Sequence, residues 1–212
     1  MKNRIALMTT IVAIMGIFLG CGGSVSLINI WTDPGYTGQP KKKILVVGLA
    51  QKPQVRSTFE YQLKHEFTSR GVEAMAAVDG MPRDVQLDKE TFAQYFGNEN
   101  LDAVLITGLV SADTTDQYTP GNTYAVPVGY YNTWHGYYGA VYAVHQEPGY
   151  WTTNTKFVLE SNLYDVATAK LIWRGISKAV NPENAMEVIE ELSKILVKRL
   201  GQDGLVTLQE GK

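Results

Sequence analysis

Ile44-Leu45-Val46-Val47-Gly48-Leu49-Ala50 is an unbroken apolar run rich in β-branched residues, and its reading decides the fold. A strand with one wet face alternates polar and apolar residues. A run with no polar position is buried on both faces, as strands of parallel sheets are. Pro53 follows and suits the first turn of a helix. Val55, Phe59, Leu63 and Phe67 recur every four residues along one stripe of that helix, and Gly71 is a natural C-terminal stop. Val72–Val78 reads as a weaker, alanine-rich strand. Asp88 caps a short helix running through Phe96 and closed by Gly97, and Ala103–Val110 is a second apolar strand, polar only at Thr107. Right-handed crossovers turn this order into three parallel strands with the first in the centre.

The pattern then changes. Phe157–Tyr164 and Leu171–Ile176 flank a polar, turn-like stretch and read as an antiparallel hairpin extending the sheet. The last helix is expected to be capped by Asn181, to carry Pro182 at its first position and to end at Gly201. Met186, Ile189, Leu192, Ile195, Leu196 and Leu200 trace its apolar face. Glu183 and Glu187 lie early and Lys194, Lys198 and Arg199 late, as the helix dipole favours. The expected class is therefore α/β (α+β): a small mixed sheet with helices packed on it. The expected single domain spans residues 41–203, preceded by an extended lead-in over 21–40 with turn chemistry at Trp31-Thr32-Asp33-Pro34-Gly35. A loose tail is expected over 204–212.

The front of the chain carries an address. Lys2 and Arg4 precede an apolar stretch from Ile5 to Leu19, then Gly20 and Cys21, the only cysteine. That stretch is shorter than the roughly 20 residues a spanning helix needs, and suits a cleaved secretory leader. Phe18-Leu19-Gly20-Cys21 resembles the lipobox of bacterial lipoproteins, with Phe18 and Leu19 where that pattern usually has Leu and a small residue. The resemblance implies cleavage before Cys21, acylation of Cys21 by a diacylglyceryl group and an N-acyl chain, and a short tether through Gly22, Gly23 and Ser24. With Gly22 rather than aspartate after the cysteine, it implies the periplasmic face of the outer membrane.

Removing residues 1–20 from the 212 leaves 192, enough for one domain with its own core. It also removes two of the 19 basic residues and none of the 21 acidic ones, for a formal charge of -4. Such a domain has no electrostatic footprint for nucleic acid. No Lys or Arg occurs from Thr91 to Thr155, which further excludes that segment from anionic phosphates. Lys41-Lys42-Lys43 is the one basic cluster, and three lysines read as the solvated start of a strand.

Residues 111–155 separate the last parallel strand from the hairpin. Eight of the twelve tyrosines fall here: Tyr118, Tyr124, Tyr130, Tyr131, Tyr137, Tyr138, Tyr142 and Tyr150. Trp134 and Trp151 join them, interleaved with glycines. Long insertions in compact domains are functional or disordered. Tyrosine pairs a broad apolar face with a polar tip, which suits recognition of an envelope protein or glycan. Against this stands a low-complexity excursion that merely covers a sheet edge.

Signals for catalysis are sparse. His135 and His145 lack metal-ligand spacing, His65 belongs to the first helix, and no nucleophile elbow, phosphate loop or glycine fingerprint occurs. No metal and no cofactor is expected. Lys52 and Arg56, in the loop after the first parallel strand, can hold an anion where α/β folds place ligands. The competing reading pairs Arg56 with Glu60 one turn on.

Trp31-Thr32-Asp33-Pro34, Lys43–Gly48, Arg56–Glu60 and Asn162–Trp173 resemble uncharacterised bacterial lipoproteins that carry a Tyr/Gly-rich stretch before the last hairpin. The element order is also similar to the N-terminal domain of the Tol-system propeller protein and to periplasmic domains of curli-secretion and penicillin-binding-protein-activating lipoproteins. These resemblances imply a non-catalytic domain that binds envelope partners while held on the membrane by its lipid. Two other classes stay open: a small-ligand receptor or enzyme using Lys52 and Arg56, and a structural subunit of a secretion or assembly complex. The sequence leaves the oligomeric state open.

Overall fold

The computed structural model of the chain describes residues 25–82, 85, 87–121, 123–125, 144–146 and 148–209. Cys21 and the leader lie outside these residues. Six strands form a mixed sheet: β1 (Val25–Thr32), β2 (Lys43–Leu49), β3 (Glu73–Ala76), β4 (Ala103–Thr119), β7 (Tyr150–Asp165) and β8 (Leu171–Val180). Their spatial order is β1-β8-β7-β4-β2-β3, while β5 (Thr123–Ala125) and β6 (Val144–Gln146) pair separately. Strand β2 is parallel to both β3 and β4, so the central placement expected from residues 44–50 is what the sheet shows. The antiparallel hairpin is β7–β8.

Both faces of the parallel part are covered. Helices α1 (Pro53–Thr68) and α4 (Ala185–Gln202) cover one face through Phe59, Leu63, Phe67, Leu192, Leu196 and Leu200, packed on Ile44, Val46, Leu105 and Trp173. The other face receives the single turn α2 (Ala77–Gly80) and α3 (Lys89–Phe96), with Phe96, Ala77 and Met81 against Leu45, Val47 and Val104. Coverage on both sides is why residues 44–50 carry no alternation. Asp88 caps α3 as expected, in a reciprocal box with Thr91.

Four expectations are corrected. The lead-in is not merely extended: Val25–Thr32 is an edge strand, antiparallel to β8 and bulged at Ile28. β8 runs to Val180, which leaves a long free edge that Val25, Leu27 and Ile30 cover from the core side. The strand expected over 72–78 stops at Ala76, because Glu60 reaches across to accept from the Val78 amide at 2.7 Å and the chain turns into α2. The last helix starts three residues later than expected, with Asn184 as its cap accepting from the Glu187 amide at 3.0 Å. It also runs past Gly201 to a cap at Asp203, with Gly204 at φ +72°. The Leu205 amide reaches Leu200 O at 2.9 Å and the Gly204 amide reaches Gly201 O at 3.1 Å, a Schellman closure that calls for glycine at 204.

That closure also corrects the loose tail over residues 204–209. Leu205 and Val206 are buried, Leu205 O accepts from the Lys41 amide at 2.7 Å, and the Gln209 amide donates to Arg70 O at 2.8 Å.

Lys41 and Asp165 form an ion pair with both side chains only 10% exposed. Burial disfavours the charge on each. The hydrogen bond between them, with those from Thr168 to Asp165 and the Tyr36 hydroxyl beside Lys41, outweighs it, holding Asp165 below 3.8 and Lys41 above 10.5. The Asp165 contribution is therefore present above its unfolded value and lost as pH falls through its lower folded one. The Lys41 contribution is present below its unfolded value and lost as pH rises through its higher folded one. Asp165→Asn is expected to cost about 2 kcal/mol at neutral pH. In urea melts, its deficit relative to the unsubstituted chain should shrink below pH 3.8.

Candidate functional site

The insertion begins as an arm, not a loop. β4 and β7 stay paired far beyond the core, from Ser111↔Val158 to Thr119↔Tyr150. β2 stops pairing with β4 at Gly108, and β8 stops pairing with β7 at Lys156. Beyond those points only β4 and β7 continue among the described residues, with a register shift between Leu109 and Ser111 where they leave the domain. The sequence hides this ladder because both of its faces meet water, so no alternation marks it. Its threonines, at 114, 115, 119, 152, 153 and 155, are nonetheless strand-forming residues.

Asn181 holds the root of the arm. Expected to cap a helix, it instead sits at φ 47°, a region Asn tolerates better than most residues. Its amide donates to Thr155 O at 2.8 Å, and its Oδ1 accepts from the Thr155 amide at 2.7 Å. Its Nδ2 donates to Asn154 Oδ1 at 3.0 Å. One side chain thus supplies the next rung after β8 ends. Asn181→Gly keeps the backbone geometry and removes that rung. It is expected to speed hydrogen exchange at the Thr155 amide by about 10-fold, the kinetic equivalent of one hydrogen bond, with core amides unchanged.

The arm presents aromatic rings to water. Tyr118 and Trp151 stand opposite each other in the ladder with ring centroids 5.0 Å apart and planes tilted by 46°. They are 49% and 70% exposed, and neighbouring Tyr150 is 62% exposed. Two residues nearer the core on the same face, Asp116 Oδ1 accepts from the Thr153 hydroxyl at 2.7 Å. Ring edges and faces in this setting can meet a flat apolar surface while the acids and hydroxyls make hydrogen bonds. The structure thus brings Trp151 and Tyr118 together, while Tyr150, the neighbouring residue, faces the other side of the strand. Tyr124 lies in β5, opposite His145 of β6. Tyr130, Tyr131, Trp134, Tyr137, Tyr138 and Tyr142 lie outside the described residues.

The loop after β2 resolves differently. Arg56 is nearly buried, and its Nε donates to Glu60 Oε1 at 2.9 Å. Glu60 is fully buried and also accepts from the Gly48 amide at 2.9 Å and the Val78 amide at 2.7 Å. The pair ties β2, α1 and α2 together, so the Arg56 charge is met inside the domain. Lys52 is exposed, caps α1 without a side-chain hydrogen bond, and is followed by a first turn free of acidic residues.

Beside Lys52 lies an open cleft of about 730 Å³, set where β2 ends and β4 departs into the arm. The first turns of α1 and α4 form its sides. Val55, Phe59, Phe157, Leu159, Val188 and Leu192 supply apolar walls, with Thr155 and Glu183 toward the mouth. Sequence reasoning missed this cleft and the role of Asn181, while the Arg56–Glu60 pair is the competing reading it offered for Arg56. Among the described residues, no group of three His, Cys, Asp or Glu side chains could hold a metal ion, and no helix is long and apolar enough to cross a membrane.

No protein-family model matches the chain, and no curated protein does. Solved structures do show distant similarity. The PelC dodecamer from Paraburkholderia phytofirmans is 10% identical, with 83% of this chain and 96% of that chain covered at a TM-score of 0.46. Lipoprotein GNA1162 from Neisseria meningitidis is 15% identical, with 76% and 98% covered at 0.39. A minor lipoprotein from Acinetobacter baumannii is 12% identical, with 79% and 96% covered at 0.35. These likenesses are distant, and no family is assigned.

Proposed function

We propose that this chain is a lipid-anchored, periplasm-facing accessory domain that binds an envelope partner, protein or glycan, through its arm and does not transform it. The observation that carries this reading is the exposed Tyr118–Trp151 pair, one ring from each strand of a two-stranded arm. Rings left in water gain from covering, and a rigid ladder lowers the ordering cost of binding. The leader and Cys21 supply the address. The internal use of Arg56, whose Nε is met by buried Glu60, supports binding over catalysis.

The test places a photo-crosslinking side chain at Gln117 in the native host and compares capture with and without the double substitution Tyr118→Ala, Trp151→Ala. Loss of a captured envelope partner, with thermal stability unchanged within about 1 kcal/mol as expected for exposed positions, supports the reading. Undiminished capture, or none from the unsubstituted arm, overturns it. Mass spectrometry of the mature N-terminus checks the anchor: a diacylated or triacylated Cys21 is expected.

A further inference from the structure

We infer that the cleft between the first turns of α1 and α4 binds a single-chain anionic amphiphile, an alkyl chain ending in a carboxylate, with its tail among the apolar walls and its head at Lys52. The volume, about 730 Å³, lies in the range of small-molecule sites. The interior is apolar: Phe59 and Leu192 are buried at its base, while Phe157 and Leu159 from β7 remain only partly covered by the domain's own packing. Leu49 and Leu109 at its lip are 63% and 54% exposed, a pair of large apolar side chains left in water beside an apolar hollow. An alkyl chain covers both and asks for no hydrogen bonds in return.

Charge selects the head. Among the described residues Lys52 is the only cation of the lining, and its side chain makes no ion pair or hydrogen bond. The α1 amides behind it have no side-chain cap and no acidic residue in the first turn, so the dipole there is uncompensated. The acidic groups sit on the opposite side: Glu183 at the mouth and Glu187, which accepts from the Glu183 amide at 2.6 Å. An anion is therefore drawn to the α1 side and repelled from the α4 side, which orients the ligand along the cleft. A neutral tail alone has no such preference.

This differs from an anion site built on Lys52 and Arg56 together, since Arg56 is committed to Glu60. It also stands apart from the arm's partner, because the cleft residues and the exposed rings of the arm do not overlap.

The test uses the full-length chain in its native membrane with a diazirine-bearing sixteen-carbon fatty acid as probe, followed by digestion and mapping of labelled peptides. Labelling concentrated on residues 49–59 and 155–159 or 182–192 is expected. Val188→Trp, which fills the cleft, should reduce labelling at least 10-fold, and Lys52→Glu about 5-fold by reversing the one cation at the mouth. Lys52 is exposed, so its variant also guards against misfolding. The matching diazirine alcohol should label no better than the Lys52→Glu variant does with the acid. Labelling spread over the surface, labelling insensitive to Val188→Trp, or equal labelling by acid and alcohol overturns the inference. Loss of arm-dependent partner capture leaves these readouts unchanged, so the two proposals fail separately.

Discussion

Glu60→Ala is expected to destabilise the domain by about 3–5 kcal/mol, the range for removing one member of a buried ion pair. For a chain of this size that is a fall in melting temperature of roughly 10 °C. The carboxylate is fully buried and serves three donors at once: the Gly48 and Val78 amides and Arg56 Nε. Removing it strands the guanidinium and two backbone amides in a place water does not reach. Glu60→Gln keeps an acceptor for the amides and should lose less. Differential scanning calorimetry separates the two, and a loss below about 1 kcal/mol for the alanine variant would show that the three contacts are not worth what their burial implies.

Trp173→Ala is expected to cost a comparable 3–5 kcal/mol, by a different route. The indole is fully buried in the main core, lies across Gly175, and donates from Nε1 to Asp203 Oδ2 at 2.8 Å. Truncation leaves a cavity and deprives Asp203 of a donor, though Arg199 Nε still holds both of its oxygens at 2.9 Å. Trp173→Phe keeps most of the volume and drops only the hydrogen bond, for about 1.5–3 kcal/mol. Chemical denaturation should show the two losses with the same m-value, since both variants keep the folded surface. Equal losses would mean that the Asp203 bond, not packing, sets the cost.

The parallel heart of the fold was legible because covering both faces erases alternation, and residues 44–50 and 103–110 say so without ambiguity. The α3 helix was legible to its ends, since Asp88 and Gly97 are local signals that tertiary structure had no reason to override. Legibility failed where a residue's role is set by something distant in sequence. Asn181 looks like a helix cap by its neighbours and becomes a rung of the arm only because Thr155 is beside it. Val25–Thr32 is a strand because β8 offers an edge. The arm stayed hidden because its polar threonines satisfy a ladder without a core to point at. The rings of the candidate site were visible as composition, but the pairing of Tyr118 with Trp151 depends on a register that composition does not contain. The cleft depends on where two helices start, and one of them starts three residues from where its cap-like signal stands.

The arm has a practical side that follows from its ladder and its residues together. Between Lys89 and Lys156 the chain offers no lysine or arginine, and this interval contains the arm's Ser111–Thr119 of β4 and Tyr150–Thr155 of β7. Trypsin therefore finds no cleavable bond on the arm, and carries it away within the single fragment 90–156. Chymotrypsin meets Tyr118, Tyr150 and Trp151 at once. A digest by the first enzyme reports on the body of the protein alone, and a digest by the second reports first on whether a bound partner shields the rings.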